Sequence, residues 1–341
     1  MARLIRPAVA ILVVVLIVTG AWAWRGLSDF DLSGHVVHEV SFEVGDTVLS
    51  GSLIAPASDA PYPVAIIVHG DGPQDRFAGD SYLPQINTLL DAGIGVFSWD
   101  KAGVGKSTGQ WLHQSMDDRA DVAIAAHNAV SRMRDVDPRG VGFLGFSQAG
   151  WVLPRVANRM TPAFTVLVGA AVSWRDQGHY FARMRMAAEG SSTAQIAAKL
   201  AAQTQHNDAV FGTPDVRPVD VGMDADRFRF VTASYFEDST GLLAGMTGPI
   251  LAIWGAADLN VDALADAATY RAQLAPLSEQ RRVALVPDAS HGLLRADLFN
   301  YQLTSQWPWH RKLLFAVLGR RAYADNSMDL IRDWIEAMVR P

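Results

Sequence analysis

Residues 140–151 read GVGFLGFSQAGW, and this stretch decides the fold. An apolar run (Val141, Phe143, Leu144, Phe146) leads into Ser147, with Gly145 two residues before it, Ala149 two after, and Gly150 next. A serine at the sharp bend between a strand and a helix needs small neighbours at those two positions, because the strand and helix approach closely there and the serine backbone is strained. The stretch therefore predicts a nucleophile elbow with Ser147 at its tip. The short Gly-x-Ser-x-Ala pattern is weak alone and gains weight from what surrounds it.

A serine hydroxyl is a poor nucleophile until an imidazole takes its proton, and the imidazole needs an acceptor on its other nitrogen. Residues 249–254 (PILAIW) read as a strand, and the Gly-Ala-Ala-Asp that follows puts Asp258 at its C-terminal end, where sites in open α/β sheets lie. Residues 281–286 (RRVALV) read as one more strand, and the loop PDASHG after it carries His291. Ser147, Asp258 and His291 thus occur in the chain order serine, acid, histidine. Each has an ordinary alternative: a chance turn serine, an aspartate capping a helix, a surface histidine. The ordered combination, each at the end of a predicted strand, favours the catalytic reading.

An oxyanion site is expected at an earlier strand end. Residues 62–69 (YPVAIIVH) run into Gly70-Asp71-Gly72-Pro73, a turn with free backbone N–H groups. The N–H groups of Asp71 and Gln148 are the candidate donors, each worth about 3–4 kcal/mol in the transition state; a plain β-turn is the alternative for this loop.

The segments HGDGPQDR (69–76), WDKAGVGKSTG (99–109), GFSQAGW (145–151), WGAADLNVD (254–262) and DASHG (288–292) together resemble an α/β-hydrolase, more narrowly the bacterial serine esterases related to the acyl-CoA thioesterase and serine aminopeptidase branches. The resemblance spans about residues 36–340. It implies that Ser147, Asp258 and His291 are nucleophile, acid and base, and that residues 100–109 form a loop facing the active site. Ala149 departs from the family's usual glycine. The run Gly103-Val-Gly-Lys-Ser107 is not a nucleotide-binding loop, since position 100 is aspartate where that motif requires glycine.

The expected architecture is an α/β-hydrolase fold: a mostly parallel sheet with antiparallel N-terminal strands in residues 35–56, helices on both faces, and a helical cap insertion. The division is residues 35–171 and 248–341 for the core and 172–247 for the cap. Residues 179–205 lack proline and read as helix, and residues 212–222, with glycine, two prolines and aspartates, as loop. Trp174, Tyr180, Phe181, Met184, Phe228 and Tyr235 of the cap could line an acyl pocket or serve as core. Residues 299–309, with Tyr301, Trp307 and Trp309, read as core, an aromatic wall of the site or an interfacial patch. Residues 326–339 read as an amphipathic helix bearing Met328, Ile331, Ile335 and Met338 on one face.

At the N-terminus, Arg3 and Arg6 precede an apolar stretch over residues 7–24 that ends in an Ala-x-Ala pattern. Residues 1–24 therefore predict export, as a cleaved signal peptide or as an inner-membrane anchor with the catalytic domain outside the cytoplasm. Half the 341 residues are apolar, the net charge is −6 and cysteine is absent. No basic stripe or metal-spaced His/Cys cluster occurs, so neither nucleic acid, a metal nor a cofactor is indicated. The expected partner is a small-molecule ester or related acyl compound, with a thioesterase, a small-peptide hydrolase (using Glu189 or Asp208 for a free amine) or a catalytically silent envelope binding protein as alternatives.

Overall fold

The structure is a computed structural model that describes residues 2–213 and 216–340, with the side chains of residues 2–13 and 220 outside the description. Its centre is one eight-stranded sheet in the order β1-β2-β4-β3-β5-β6-β7-β8. Strands β1 (Val37–Val44) and β2 (Thr47–Ile54) form an antiparallel hairpin, and β2 pairs antiparallel with β4 (Gly95–Trp99). The remaining pairings, among β4, β3 (Tyr62–Val68), β5 (Val136–Phe146), β6 (Thr165–Val168), β7 (Ile250–Gly255) and β8 (Arg281–Val286), are all parallel.

The parallel strands are apolar on both sides because both faces are covered, and the two-residue alternation of strand side chains divides them between two cores. Val64, Ile66 and Val68 of β3 point into one core with Phe143, Val152 and Trp254; Ala65 and Ile67 point into the other with Leu144, Val166 and Ile253. Helices α3 (Met116–Val130), α4 (Ala149–Arg159) and α9 (Ala263–Gln273) supply the first core. Helices α2 (Leu83–Asp91) and α12 (Ser327–Val339) supply the second, with Ile331, Trp334 and Ile335 of the predicted C-terminal stripe buried there.

Between β6 and β7 the chain forms α5 (Trp174–Ala188), α6 (Thr193–Phe211), a 3₁₀ turn at Pro218–Val221, α7 (Ala225–Ser234) and the short α8 (Thr240–Leu243). Residues 179–205, read as helical, are helical in two pieces. Gly190, at φ +83°, ends the first helix, and Ser192 starts the second through a capping box with Gln195. The loop expected over 212–222 contains the 3₁₀ turn, and residues 214 and 215 lie outside the described residues.

After β8 come α10 (Ala296–Phe299), α11 (Trp309–Leu318) and α12. Helix α1 (Ala2–Ser28) packs its C-terminal end on α11, with Gly26 against the Val317 carbonyl, Arg321 4.1 Å over the Trp22 ring, and Arg320 paired with Asp29 at 3.1 Å. A side chain at position 26 would collide with that carbonyl, so glycine is required for the contact. The apolar stretch read as a signal or anchor falls partly on residues 7–13, whose side chains lie outside the description. Among the described residues, no helix is long and apolar enough to cross a membrane.

Candidate active site

The loops that carry the candidate residues follow the C-terminal ends of parallel strands, the edge where open α/β sheets bind ligands. The loop after β3 carries Asp71, the turn after β5 Ser147, the loop after β7 Asp258 and the loop after β8 His291.

Ser147 has φ +50°, a left-handed conformation that costs a non-glycine residue about 1–3 kcal/mol and persists only where the surroundings enforce it. The enforcement is visible. The Ser147 N–H donates to the Val168 carbonyl (2.8 Å), and α4 begins two residues later. A Cβ on Gly145 would stand 2.7 Å from the Ala149 Cβ, and one on Gly150 2.8 Å from the Ala170 Cβ, so the small residues around the serine are dictated by strand–helix contact. Ala149 is fully buried and fits because position 145 is glycine.

The structure brings Asp258 and His291 together. His291 Nδ1 lies 2.7 Å from Asp258 Oδ2, while Asp258 Oδ1 accepts the N–H groups of Asn260 (2.7 Å) and Val261 (3.1 Å). Those bonds consume the second carboxylate oxygen and fix the first toward the ring. The loops are pressed close: a Cβ on Gly255 would collide with the Ala289 and Ser290 carbonyls. Gly169, at φ +59°, abuts the His291 ring, and a Cβ there would stand 2.9 Å from Cε1. Its neighbour Val168, the last residue of β6, accepts the Ser147 N–H, so the histidine ring and the serine lie against adjacent residues at the end of that strand. Burial pulls the imidazole pKa down, but the charge and hydrogen bond of Asp258 together outweigh it, leaving His291 above the ordinary value of 6.5.

Gly70 leads into the turn facing Ser147, its Cβ position 3.4 Å from the serine Cβ. Gln148 Nε2 donates to Asp71 Oδ1 (3.0 Å), so the two residues named as backbone donors are tied to each other through their side chains. Behind the turn lie groups the sequence reading did not single out. Lys101 Nζ donates to the Gly70 (2.6 Å) and Gly72 (2.9 Å) carbonyls, and Arg119 Nη2 to the His69 (2.9 Å) and Gly70 (3.5 Å) carbonyls. His69 Nε2 sits 2.6 Å from the Trp99 carbonyl, and burial drops its pKa to about 3, so it is neutral. Asp100, the first residue of the 100–109 loop, is engaged by Arg76 (2.8 Å) and the Lys106 N–H (3.2 Å).

A cavity of about 640 Å³ opens beside His291, walled by Tyr82, Phe146, Tyr301, Trp307 and Phe315. Tyr301 and Trp307 belong to the segment read as core, wall or interfacial patch; they form a wall. Trp309 does not line it and is exposed. The cap aromatics are mostly used elsewhere. Trp174 packs on Trp151 and Phe230, Phe228 and Tyr235 pack on Phe211, and Phe181 uses its carbonyl to accept from Gln302 (2.9 Å). Tyr180 is the exception, its hydroxyl donating to the Asp258 carbonyl (2.8 Å). Asp208 is ion-paired with Arg175 and bonded by the Tyr235 hydroxyl, and Glu189 is exposed at the end of α5, so neither borders the cavity.

No family model and no curated protein matches the sequence. Solved structures do. A 2,6-dihydroxy-pseudo-oxynicotine hydrolase is similar over 89% of this chain and 68% of its own (TM-score 0.56, 14% identity). A Pyrococcus furiosus esterase is similar over 85% and 92% (TM-score 0.52, 16% identity). A bacterial membrane phospholipase A is similar over the whole of both chains (TM-score 0.53, 15% identity). With the mostly parallel eight-stranded sheet and its antiparallel first hairpin, these likenesses establish that the chain has the α/β-hydrolase fold.

Proposed function

We propose that the chain is a serine hydrolase that cleaves carboxylic esters of small molecules through a covalent acyl-enzyme. The observation that carries this reading is the 2.7 Å bond from His291 Nδ1 to Asp258, on a ring that abuts Gly169, the neighbour of the Val168 that holds the Ser147 N–H. With Nδ1 occupied by the carboxylate, the free nitrogen is Nε2, which serves as base.

In the forward step Ser147 Oγ adds to the ester carbonyl carbon and its proton passes to His291 Nε2. The carbonyl electron pair moves onto oxygen, where the N–H groups of Asp71 and Gln148 receive it. Collapse re-forms the carbonyl, breaks the bond to the alkoxy oxygen and returns the proton to the departing alcohol. Water then repeats the sequence on the acyl-enzyme, releasing the acid and restoring Ser147. Asp258 stabilises the imidazolium formed in both halves without itself taking the proton.

An ester rather than a free-amine peptide is favoured because aromatic rings form one side of the cavity and the two acidic cap residues that could hold an ammonium group lie away from it, the carboxylate in its lining being the exposed Asp80. Export, by cleaved signal or anchor at residues 7–24, belongs to the same proposal and rests on the N-terminal sequence. Labelling with a fluorophosphonate, followed by a panel of esters, thioesters and peptide amides, tests the reading. It requires Ser147 to be modified and esters to turn over fastest; an unlabelled, inactive protein would instead favour a binding role for the same fold.

A further inference from the structure

Two cations are buried directly behind the turn proposed to hold the oxyanion, and neither is spent on a carboxylate. Lys101 is 4% and Arg119 7% exposed, and no ion pair among the described residues includes either. Both donate instead to main-chain carbonyls of residues 69–72. Burying a charge without a carboxylate bonded to it is costly, and a neutral donor would satisfy a carbonyl at lower cost; the Asp71 carboxylate on the same turn compensates the two charges only through space. The face of the Trp111 ring, 5.1 Å from Lys101 Nζ, offsets part of that cost.

The carbonyl on which the two cations converge is that of Gly70. The Gly70 C=O and the Asp71 N–H belong to one planar peptide group and point in opposite directions. A cation held on the oxygen therefore aims the N–H away from itself, in a turn whose Gly70 lies against Ser147, and withdraws electrons from the nitrogen, making it a stronger donor. On the other side the Gln148 amide holds the Asp71 carboxylate, so the peptide is clamped from both ends.

We propose that Lys101 and Arg119 are positioning residues that orient and polarise the Gly70–Asp71 peptide so that the Asp71 N–H stabilises the oxyanion. Their action is on the transition state alone: the negative charge they favour is absent from bound ester and appears only on addition of Ser147. The inference rests on the serine-hydrolase reading and adds to it the residues that set donor strength. Burial, and after it the neighbouring Arg119, pull the Lys101 pKa down, and the Asp71 carboxylate opposes both by favouring the charged form.

The test compares Lys101→Met and Arg119→Met with wild type on an ester, and measures binding of a trifluoromethyl ketone, which adds to the serine as an anionic adduct. Loss of a direct oxyanion donor costs roughly 10²–10³ in kcat. Loss of a residue acting through that donor is expected to cost roughly 10- to 100-fold, with KM within about twofold and ketone affinity falling in parallel with kcat. Arg119→Lys, which keeps the charge, is expected to recover most of the loss. Lys101→Gln keeps a donor without the charge and serves where the methionine variant does not fold; it is expected to move kcat and ketone affinity in the same direction, by less. Unchanged kcat in Lys101→Gln and Arg119→Met, or a loss carried by KM with ketone affinity intact, overturns the positioning role. Fluorophosphonate labelling at Ser147 is measured alongside: variants equal to a labelled wild type overturn this inference alone, whereas a wild type that does not label overturns it together with the reading beneath it.

Discussion

Asp258 and Asp262 stand four residues apart in one loop and face different partners. Asp258 Oδ2 is 2.7 Å from His291 Nδ1, whereas Asp262 Oδ1 accepts the Ala265 N–H (3.2 Å) as the N-cap of α9. The two carboxylates therefore predict different losses. Asp258→Asn keeps the shape but imposes the wrong tautomer on His291, and kcat is expected to fall by on the order of 10⁴. Asp262→Asn is expected to leave turnover nearly unchanged, because asparagine caps helices as well as aspartate. Steady-state kinetics on the two variants at matched stability check this, and a larger loss in Asp262→Asn would unseat Asp258 as the orienting acid.

On the proposed reading, Asp258 and His291 also set the pH profile. A general base works only when neutral, and His291 is held above the ordinary histidine value of 6.5 by Asp258. As pH falls through that raised value the imidazole gains a proton and kcat/KM is expected to fall with it, so the acid limb has its midpoint above 6.5. The residual activity of Asp258→Asn should show a limb displaced to lower pH, since both the charge and the hydrogen bond that raise the value are gone. A profile of kcat/KM between pH 5 and 9 for both proteins measures the displacement.

Ser147, Asp258 and His291 were legible as candidates because this fold places each functional loop directly after a strand, and strands buried on both faces announce themselves as short apolar runs. Lys101 and Arg119 were not legible, because their partners are backbone carbonyls and a bond to a carbonyl leaves no pattern in side-chain sequence. Nor was the cavity wall: the cap aromatics and Tyr301 with Trp307 have the same composition, and only tertiary packing sends Trp174 into the core and Trp307 to the cavity. The break at Gly190 was available in the Gly-Ser-Ser-x-x-Gln spacing, which a reading based on residue composition passes over. The α/β order and the antiparallel first hairpin followed from apolar period and turn residues alone.

The elbow makes a steric prediction. A Cβ at position 145 would meet the Ala149 Cβ at 2.7 Å and Leu153 Cδ1 at 2.5 Å inside a fully packed core, so Gly145→Ala is expected to cost about 1–3 kcal/mol in stability through overpacking and to displace Ser147. Ala149→Gly removes a methyl group from that contact and is expected to leave the elbow intact, with a small stability loss from glycine near a helix start. Urea unfolding gives the stability difference, and the rate of fluorophosphonate labelling reports the serine. Labelling in Gly145→Ala at the wild-type rate would mean that the elbow has slack the packing does not suggest.

The last prediction concerns an acid outside the proposed chemistry. Asp266 on α9 is largely buried and accepts the Val172 N–H at 3.2 Å; burial pushes its pKa up to about 7, with Asp262, Asp258 and Asp176 adding repulsion. Its unfolded value is near 3.8, so between these limits the folded chain binds more protons than the unfolded one. Stability contributed by this group therefore falls as pH rises from about 4 to 7 and stays low above that. Asp266→Asn keeps an oxygen for the Val172 N–H and cannot ionise. The variant is expected to have a higher Tm than wild type at pH 8 and a similar Tm at pH 4, with the Tm difference opening across that interval. Thermal unfolding at several pH values reads it directly; a difference that is constant with pH would show that Asp266 keeps an ordinary carboxylate pKa in the folded protein.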